Sequence, residues 1–211
     1  MSAPNPPQAR RQRLTLVLLA LLFFAPLGLA FCAYYGLHWR PGTRVNHGKL
    51  IEPPRPIPAL SLPRVALVGD APATGGGAAG ADLFKGKWTL LYWGPGACAA
   101  ACRTELYNTR QVRAALRQDD RVQRVFVADG ACCDLDFLRT QHPDLVTVRA
   151  TPEAAPLLAL LKLGSGDEPA AADRVYLVDP LGNLMMSYPP DARPKGMLED
   201  LKRLLGLSHV G

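Results

Sequence analysis

The hydrophobic pattern divides the chain into two unlike parts. Leu14 to Leu37 is a run without a charge, LTLVLLALLFFAPLGLAFCAYYGL. Wound as a helix, those residues extend about 36 Å, enough to cross a hydrocarbon core of about 30 Å. Pro26 lies near the middle, which a membrane helix tolerates. Tyr34, Tyr35 and Trp39 stand at the far end, where amphipathic aromatics favour the interface. A cleaved signal has a shorter apolar region of about 7–15 residues, so the run reads as a transmembrane helix over 14–37. A lipid-modified Cys32 is rejected because bulky Phe31 precedes it; Cys32 reads as a small apolar residue of the span.

Residues 38–63 are rich in Pro and Gly with little apolar periodicity and read as an extended linker over the domain surface. From Lys87 onward strand and helix patterns alternate. Trp88 to Trp93 (WTLLYW) is a continuous apolar run, as a strand buried on both faces would be. Cys102, Leu106, Thr109, Val112 and Leu116 recur at helical spacing and predict a helix over 99–117. Val122 to Ala128 predicts the next strand, Asp134 to Thr140 a helix, and Leu145 to Val148 a short strand. Thr151 as N-cap and Pro152 in the first turn open a helix expected to end at Gly164. Arg174 to Val178 and Asn183 to Tyr188 flank the turn Asp179-Pro180-Leu181-Gly182 and predict a hairpin. Met197, Leu198, Leu201, Leu204 and Leu205 mark a last helix stopping at Gly206. A parallel pair with a crossover helix, then a hairpin and a closing helix, is the plan of an α/β, thioredoxin-like domain, expected over 64–211.

Charge changes the picture by where it lies. The 211 residues carry a net charge of +6. Residues 1–57 hold seven Lys/Arg and one acid, and the remainder is neutral. A basic nucleic-acid surface therefore has no support, and no nucleic-acid partner is expected. Arg10, Arg11 and Arg13 form a denser cluster before the span than Arg40, Arg44 and Lys49 after it. The tail 1–13 is accordingly expected in the cytoplasm and the large body on the opposite face, in a bacterial periplasm or an equivalent oxidising space.

Four of the five cysteines lie in the body. Cys98 and Cys102, in GPGACAAAC, fall at the junction of the first strand and its helix. Sites in open α/β sheets form beyond the carboxyl ends of the strands. A helix N-terminus also stabilises a thiolate. Four residues apart on a helix, the two sulfurs share a face, are expected to meet solvent at the mouth of this first strand–turn–helix unit, and lie within disulfide reach, or hold a soft metal between them. The alternative is two apolar cysteines packing a helix end. Cys132 and Cys133 follow the next parallel strand. Neighbours in sequence seldom pair with each other, so one of them is expected to resolve a disulfide with Cys98 or Cys102, or to add a thiolate ligand; the alternative is a small-residue turn.

The stretch Tyr92 to Cys102, YWGPGACAAAC, resembles the CxxxC site of the Sco/SenC proteins. The likeness extends to the single N-terminal span, to Val125-Phe126-Val127-Ala128-Asp129, and to Tyr176 through Gly182; Asn46 to Ile51 is similar to uncharacterised relatives of that family. It implies a membrane-anchored, thioredoxin-fold factor of an inner membrane that assists cytochrome c oxidase assembly. Its partner would be an oxidase subunit or another assembly factor. Copper would be the metal and Cys98 and Cys102 its ligands. The family's third ligand, a His, has no counterpart in Glu168-Pro169-Ala170-Ala171-Ala172-Asp173, and Ala99 and Arg103 stand where the family has Pro. His142 is the substitute ligand weighed within the body, and His209 lies in the tail. Dithiol–disulfide exchange, with Cys98 as nucleophile and Cys102 resolving, is the more economical reading. A peroxidase needs a hydroxyl where Ala99 stands. A non-enzymatic assembly module with structural cysteines is the alternative.

Overall fold

The computed structural model describes residues 6–37, 46–65, 78–80, 82–117 and 120–208. Two compact units divide the chain, Met1–Arg44 and Val45–Gly211. In the first, helix α1 runs Pro6–Phe31 with Pro26 inside it and continues into a π-helical turn at Cys32–Gly36. Arg10–Gly36 is long and apolar enough to cross a membrane by length and composition. Its large apolar side chains are exposed, Phe23 at 74%.

The second unit is built on a six-stranded mixed sheet. Its strands are β1 (Lys49–Pro56), β4 (Trp88–Pro95), β5 (Val122–Asp129), β6 (Leu145–Arg149), β7 (Val175–Val178) and β8 (Asn183–Tyr188), in the order β1-β8-β7-β4-β5-β6. β4, β5 and β6 are parallel, and β7, β8 and β1 follow beyond β4, each antiparallel to the strand before it. A two-residue pair, β2 (Leu62–Pro63) with β3 (Ala78–Ala79), forms a separate small sheet. Alternation along the central strands sends Trp88, Leu90, Tyr92, Val122 and Phe126 to one core, with α2 (Ala100–Ala115), α3 (Leu135–Gln141) and α5 (Pro194–Leu207). Leu91, Trp93, Val125 and Val127 go to the other, with α4 (Ala155–Leu161). Burial on both faces is why β4 reads as an unbroken apolar run. The architecture is the expected thioredoxin-like α/β fold.

Four local expectations are corrected. The stretch 38–63 was expected as a linker, but Lys49–Pro56 within it is the edge strand β1, paired with β8. The buried carboxylate of Asp200 holds its start, accepting the backbone N–H groups of His47 and Gly48 (both 2.9 Å at Oδ2) and the Tyr188 hydroxyl. Arg55 then donates to the carbonyls of Leu160 and Lys162 at the end of α4. Prolines at 53, 54 and 56 remove the usual strand signature without preventing pairing at an edge. Second, α4 is preceded by a 3₁₀ turn (Pro152–Ala154) and ends at Leu161 rather than Gly164. Third, α5 runs through Gly206 to Leu207. Fourth, Cys132 and Cys133 pair with each other, across a cis peptide.

The hairpin turn behaves as its sequence predicts. Asp179 Oδ1 accepts the N–H groups of Leu181 and Asn183, and Gly182 takes the positive φ of 88° the turn requires. At the opposite margin, Arg64 bridges to Val148, and the Val65 N–H donates to the Thr147 carbonyl, so β6 is also covered.

Candidate functional site

Parallel β4 and β5 deliver both cysteine pairs to the same end of the sheet, beyond their carboxyl termini. Cys98 and Cys102 form a disulfide with Cα atoms 5.0 Å apart. Cys98 stands two residues before α2, with φ at +44°, a left-handed conformation that costs a side-chain-bearing residue about 1–2 kcal/mol. α2 opens with Ala99 as N-cap and no side-chain cap, so its first N–H groups stay available beside the pair. The sulfurs were expected to meet solvent at the mouth of this unit. They do not: Cys98 is 3% exposed and Cys102 1%, inside the core that holds Leu106 and Phe126.

Two fastenings lace the Cys98 loop to the loop of Cys132 and Cys133. The Gly96 N–H donates to the Asp129 carbonyl at 2.7 Å. Arg103 donates from Nε to the Cys98 carbonyl at 3.2 Å and from Nη2 to Asp134 Oδ2 at 3.0 Å, its guanidinium lying 4.3 Å over the Phe137 ring. Asp134 is itself the N-cap of α3, accepting the Phe137 N–H. The arginine that stands where the resembling family has proline therefore ties the two loops together. Cys132 and Cys133 are half-buried against the same core. The structure thus brings all four sequence-predicted cysteines to one end of the sheet, as two separate pairs.

Gly96 is where these loops press together. A Cβ there would run into the Ala131 carbonyl and lie 3.0 Å from Cys132 Cα, both parts of backbone that cannot swing aside. Gly96→Ala is expected to cost about 2 kcal/mol through this overpacking. Urea unfolding of the full chain in detergent checks it; an unchanged midpoint would show that the loops separate freely.

Beneath the disulfide lies a polar cluster that the sequence pattern did not disclose. Glu105 is one turn beyond Cys102 on the buried face of α2 and is 3% exposed. Its Oε1 accepts from Asn108 Nδ2 at 3.4 Å, and its Oε2 is buried with no hydrogen-bond partner among the described residues. Burial, reinforced by the charge of Asp173, pushes its carboxyl up to about 7. Tyr92, from β4, donates its hydroxyl to Asp173 Oδ1 at 2.6 Å. Burial and that carboxylate hold the phenol well above its ordinary range. Asp173 also has a left-handed φ of +44°. The signal that was available is a carboxylate inside the apolar stripe Cys102, Leu106, Thr109, Val112.

The opposite end of the sheet carries a buried cation. Arg124, near the start of β5, is fully buried and donates to Thr109 Oγ1, to the Leu106 carbonyl (2.7 Å) and to Asp144 Oδ1 (3.0 Å). His142 faces it at 3.3 Å through Nδ1 and is 2% exposed. Burial and the guanidinium press its imidazole down to about 4. His142 therefore accepts from Arg124 at the amino end of the strands and does not join the cysteines. His209 lies outside the described residues.

Copper was expected on Cys98 and Cys102. Among the described residues no group of three His, Cys, Asp or Glu is arranged to hold a metal ion. With His142 turned to Arg124 and no imidazole at Glu168 to Asp173, no nitrogen donor stands as the third ligand among the described residues. The donor set does not fit a two-thiolate, one-imidazole centre.

A family model described as the transmembrane-like, thioredoxin-like, C-terminal domain matches residues 88–208. Among solved structures, the apo Sco1 protein of Thermus thermophilus superposes with a TM-score of 0.56 at 22% identity, over 77% of this chain and 99% of that one. Copper-bound ScoI of Bradyrhizobium japonicum gives 0.52 at 23% identity, over 71% and 98%. A thiol:disulfide interchange protein of the thioredoxin family from Chlorobium tepidum gives 0.51 at 20%, over 72% and 98%. These likenesses establish the thioredoxin fold, and the Sco-type neighbours agree with the resemblance drawn from the CxxxC stretch. No curated protein matches the sequence as a relative.

Proposed function

Because the chain belongs to the family of transmembrane-like, thioredoxin-like C-terminal domains, we propose that it is a membrane-anchored thiol–disulfide exchange protein. Its working pair is Cys98 and Cys102, and its place is in cytochrome c oxidase assembly. The observation that carries this reading is the disulfide itself, set where β4 ends and α2 begins, with Cys98 in a left-handed conformation. Strained backbone and a free helix N-terminus gather where chemistry is done. Sco1 and thiol:disulfide interchange proteins among the structural neighbours support the two halves of the reading.

In the dithiol form, the Cys98 thiolate attacks a partner disulfide and displaces one partner sulfur. Cys102 then attacks Cys98 Sγ and releases the partner as a dithiol. The apolar helix anchors the protein, with the arginine-flanked tail in the cytoplasm and the domain on the periplasmic side of an inner membrane. Cys132 and Cys133, paired with each other, would serve as auxiliary thiols only once that pair is reduced. Because the ligand set falls short of a complete copper site, no step is routed through the metal.

The test uses the reduced full chain in detergent with glutathione disulfide as oxidant. Cys98→Ser is expected to lose exchange entirely, and Cys102→Ser to accumulate a mixed disulfide at Cys98. Full activity in the Cys98 variant would refute the reading. The burial of both sulfurs favours a second reading, a binding module with a structural disulfide. A midpoint potential below about −300 mV would establish that one, and a higher value the exchange protein.

A further inference from the structure

An exchange partner has to reach a sulfur, and both residues of the Cys98–Cys102 pair are enclosed. Cys98, the one attacked in the reading above, is 3% exposed, yet its neighbours Ala97 and Ala99 are exposed. The turn 95–99 therefore lies at the surface with its cysteine facing inward. Reaching Cys98 Sγ takes a local opening of that turn, and the rate of attack follows how often the opening occurs.

Arg103 supplies the side-chain hold on the turn. From the first turn of α2 it donates from Nε to the Cys98 carbonyl at 3.2 Å and from Nη2 to Asp134 Oδ2 at 3.0 Å. Asp134 is itself anchored as the N-cap of α3, and the Phe137 ring of that helix lies 4.3 Å from the guanidinium. One side chain thus binds the Cys98 carbonyl to a second helix. The backbone ties, from the Cys98 N–H to the Pro95 carbonyl and from the Gly96 N–H to the Asp129 carbonyl, hold the earlier part of the turn. Against the clasp stands the left-handed φ of Cys98, +44°, which favours release.

We propose that Arg103 gates the Cys98–Cys102 disulfide: as a positioning residue it clasps the Cys98 carbonyl to Asp134, and attack on the disulfide waits for that clasp to open. The inference rests on the exchange reading above and assigns its access step to a residue. The side chains of Arg103 and Asp134 are 46% and 44% exposed, so the ionic part of the clasp is open to screening by salt.

The experiment measures the initial rate at which tris(hydroxypropyl)phosphine reduces the full chain in non-ionic detergent, with Cys98–Cys102 followed by alkylation and peptide mass spectrometry. The reagent is uncharged, so the guanidinium does not steer it. Its phosphorus lone pair attacks Cys98 Sγ, and the electron pair of the disulfide leaves on Cys102 Sγ, which takes a proton from water. The oxygen of that water ends on phosphorus and its other proton on Cys98. The phosphine is oxidised to its oxide and the disulfide is reduced to two thiols.

Arg103→Gln is expected to speed reduction about tenfold at about 10 mM salt, the combined effect of losing an exposed ion pair and a hydrogen bond to a carbonyl. Asp134→Asn keeps an N-cap for α3 while removing the charge, and is expected to speed it about threefold. The double variant should be no faster than Arg103→Gln, because a single clasp is lost in each. Raising salt to about 1 M should speed the wild type about threefold and leave Arg103→Gln unchanged. Reduction of each variant should stay nearly independent of urea at low concentration, since a local opening exposes little surface. An acceleration that climbs with urea at the full slope of unfolding would mark mere loss of stability and overturn the proposal. So would an Arg103→Gln rate within about twofold of the wild type. Should that variant fail to fold, the salt dependence of the wild type and the rate of Asp134→Asn decide, and no change in either refutes the clasp. Glutathione exchange that persists in Cys98→Ser defeats the exchange reading instead, while the phosphine rates still report on Arg103.

Discussion

Replacing Arg124 by alanine is expected to lower the stability of the folded domain by about 3–5 kcal/mol. The guanidinium is wholly enclosed between β5 and α2 and donates at once to a backbone carbonyl, a hydroxyl and a carboxylate. Removing it leaves a cavity and takes one donor each from Leu106 O, Thr109 Oγ1 and His142 Nδ1, although the Thr109 hydroxyl still bonds the Glu105 and Leu106 carbonyls. Asp144 is a third exposed and regains water, so most of the loss comes from the void and the buried acceptors left with fewer donors. Arg124→Met fills much of the space without supplying donors, and is expected to fall between alanine and wild type. Urea unfolding in detergent, followed by the fluorescence of buried Trp88 and Trp93, measures both. An alanine variant within about 1 kcal/mol of wild type would show that the enclosed charge is already offset by its own desolvation.

The second large effect is hidden in the wild type and emerges in variants. His142 has a folded pKa near 4, below its ordinary 6.5. Between those values the unfolded chain binds a proton that the folded chain refuses. Stability from this group therefore falls as pH drops, by about 1.4 kcal/mol per pH unit. Glu105 has a folded pKa near 7, above its ordinary 4.5. Between those values the folded chain binds the extra proton, and stability falls as pH rises, at about the same slope. From about pH 4.5 to about 6.5 the two slopes oppose each other, so the oxidised wild type should be nearly flat across that window. Glu105→Gln removes one slope and should lose about 2–3 kcal/mol on acidification from about pH 6.5 to 4.5. His142→Gln removes the other and should lose a similar amount as pH rises over the same interval. Parallel profiles for the two variants, measured by urea unfolding, would show that one of these groups does not titrate as its surroundings dictate.

Which parts were legible follows from what each residue is buried against. WTLLYW announces β4 because both faces of that strand are covered, and Asp179 through Gly182 announce a turn because each residue has a local task. β1 was hidden because its prolines look like those of a linker; its register is set by Asp200, a residue more than a hundred positions away, which no local pattern reveals. Arg124 and Glu105 break apolar stripes and would ordinarily be read as solvated charges. Only the packing of β5 against α2, and of Glu105 near Tyr92 and Asp173, shows them enclosed. The cysteines were found from their position after strands. Their burial, and the mutual pairing of Cys132 with Cys133, depend on loop contacts that spacing does not encode.

The sheet has two margins, and neither is bare. Along β1, three prolines withhold amide hydrogens from any newcomer; along β6, the segment at Arg64 and Val65 already occupies part of the ladder. Both features work against a second polypeptide adding itself as a further strand. The domain is thereby guarded against the edge-to-edge stacking by which exposed sheets grow into aggregates.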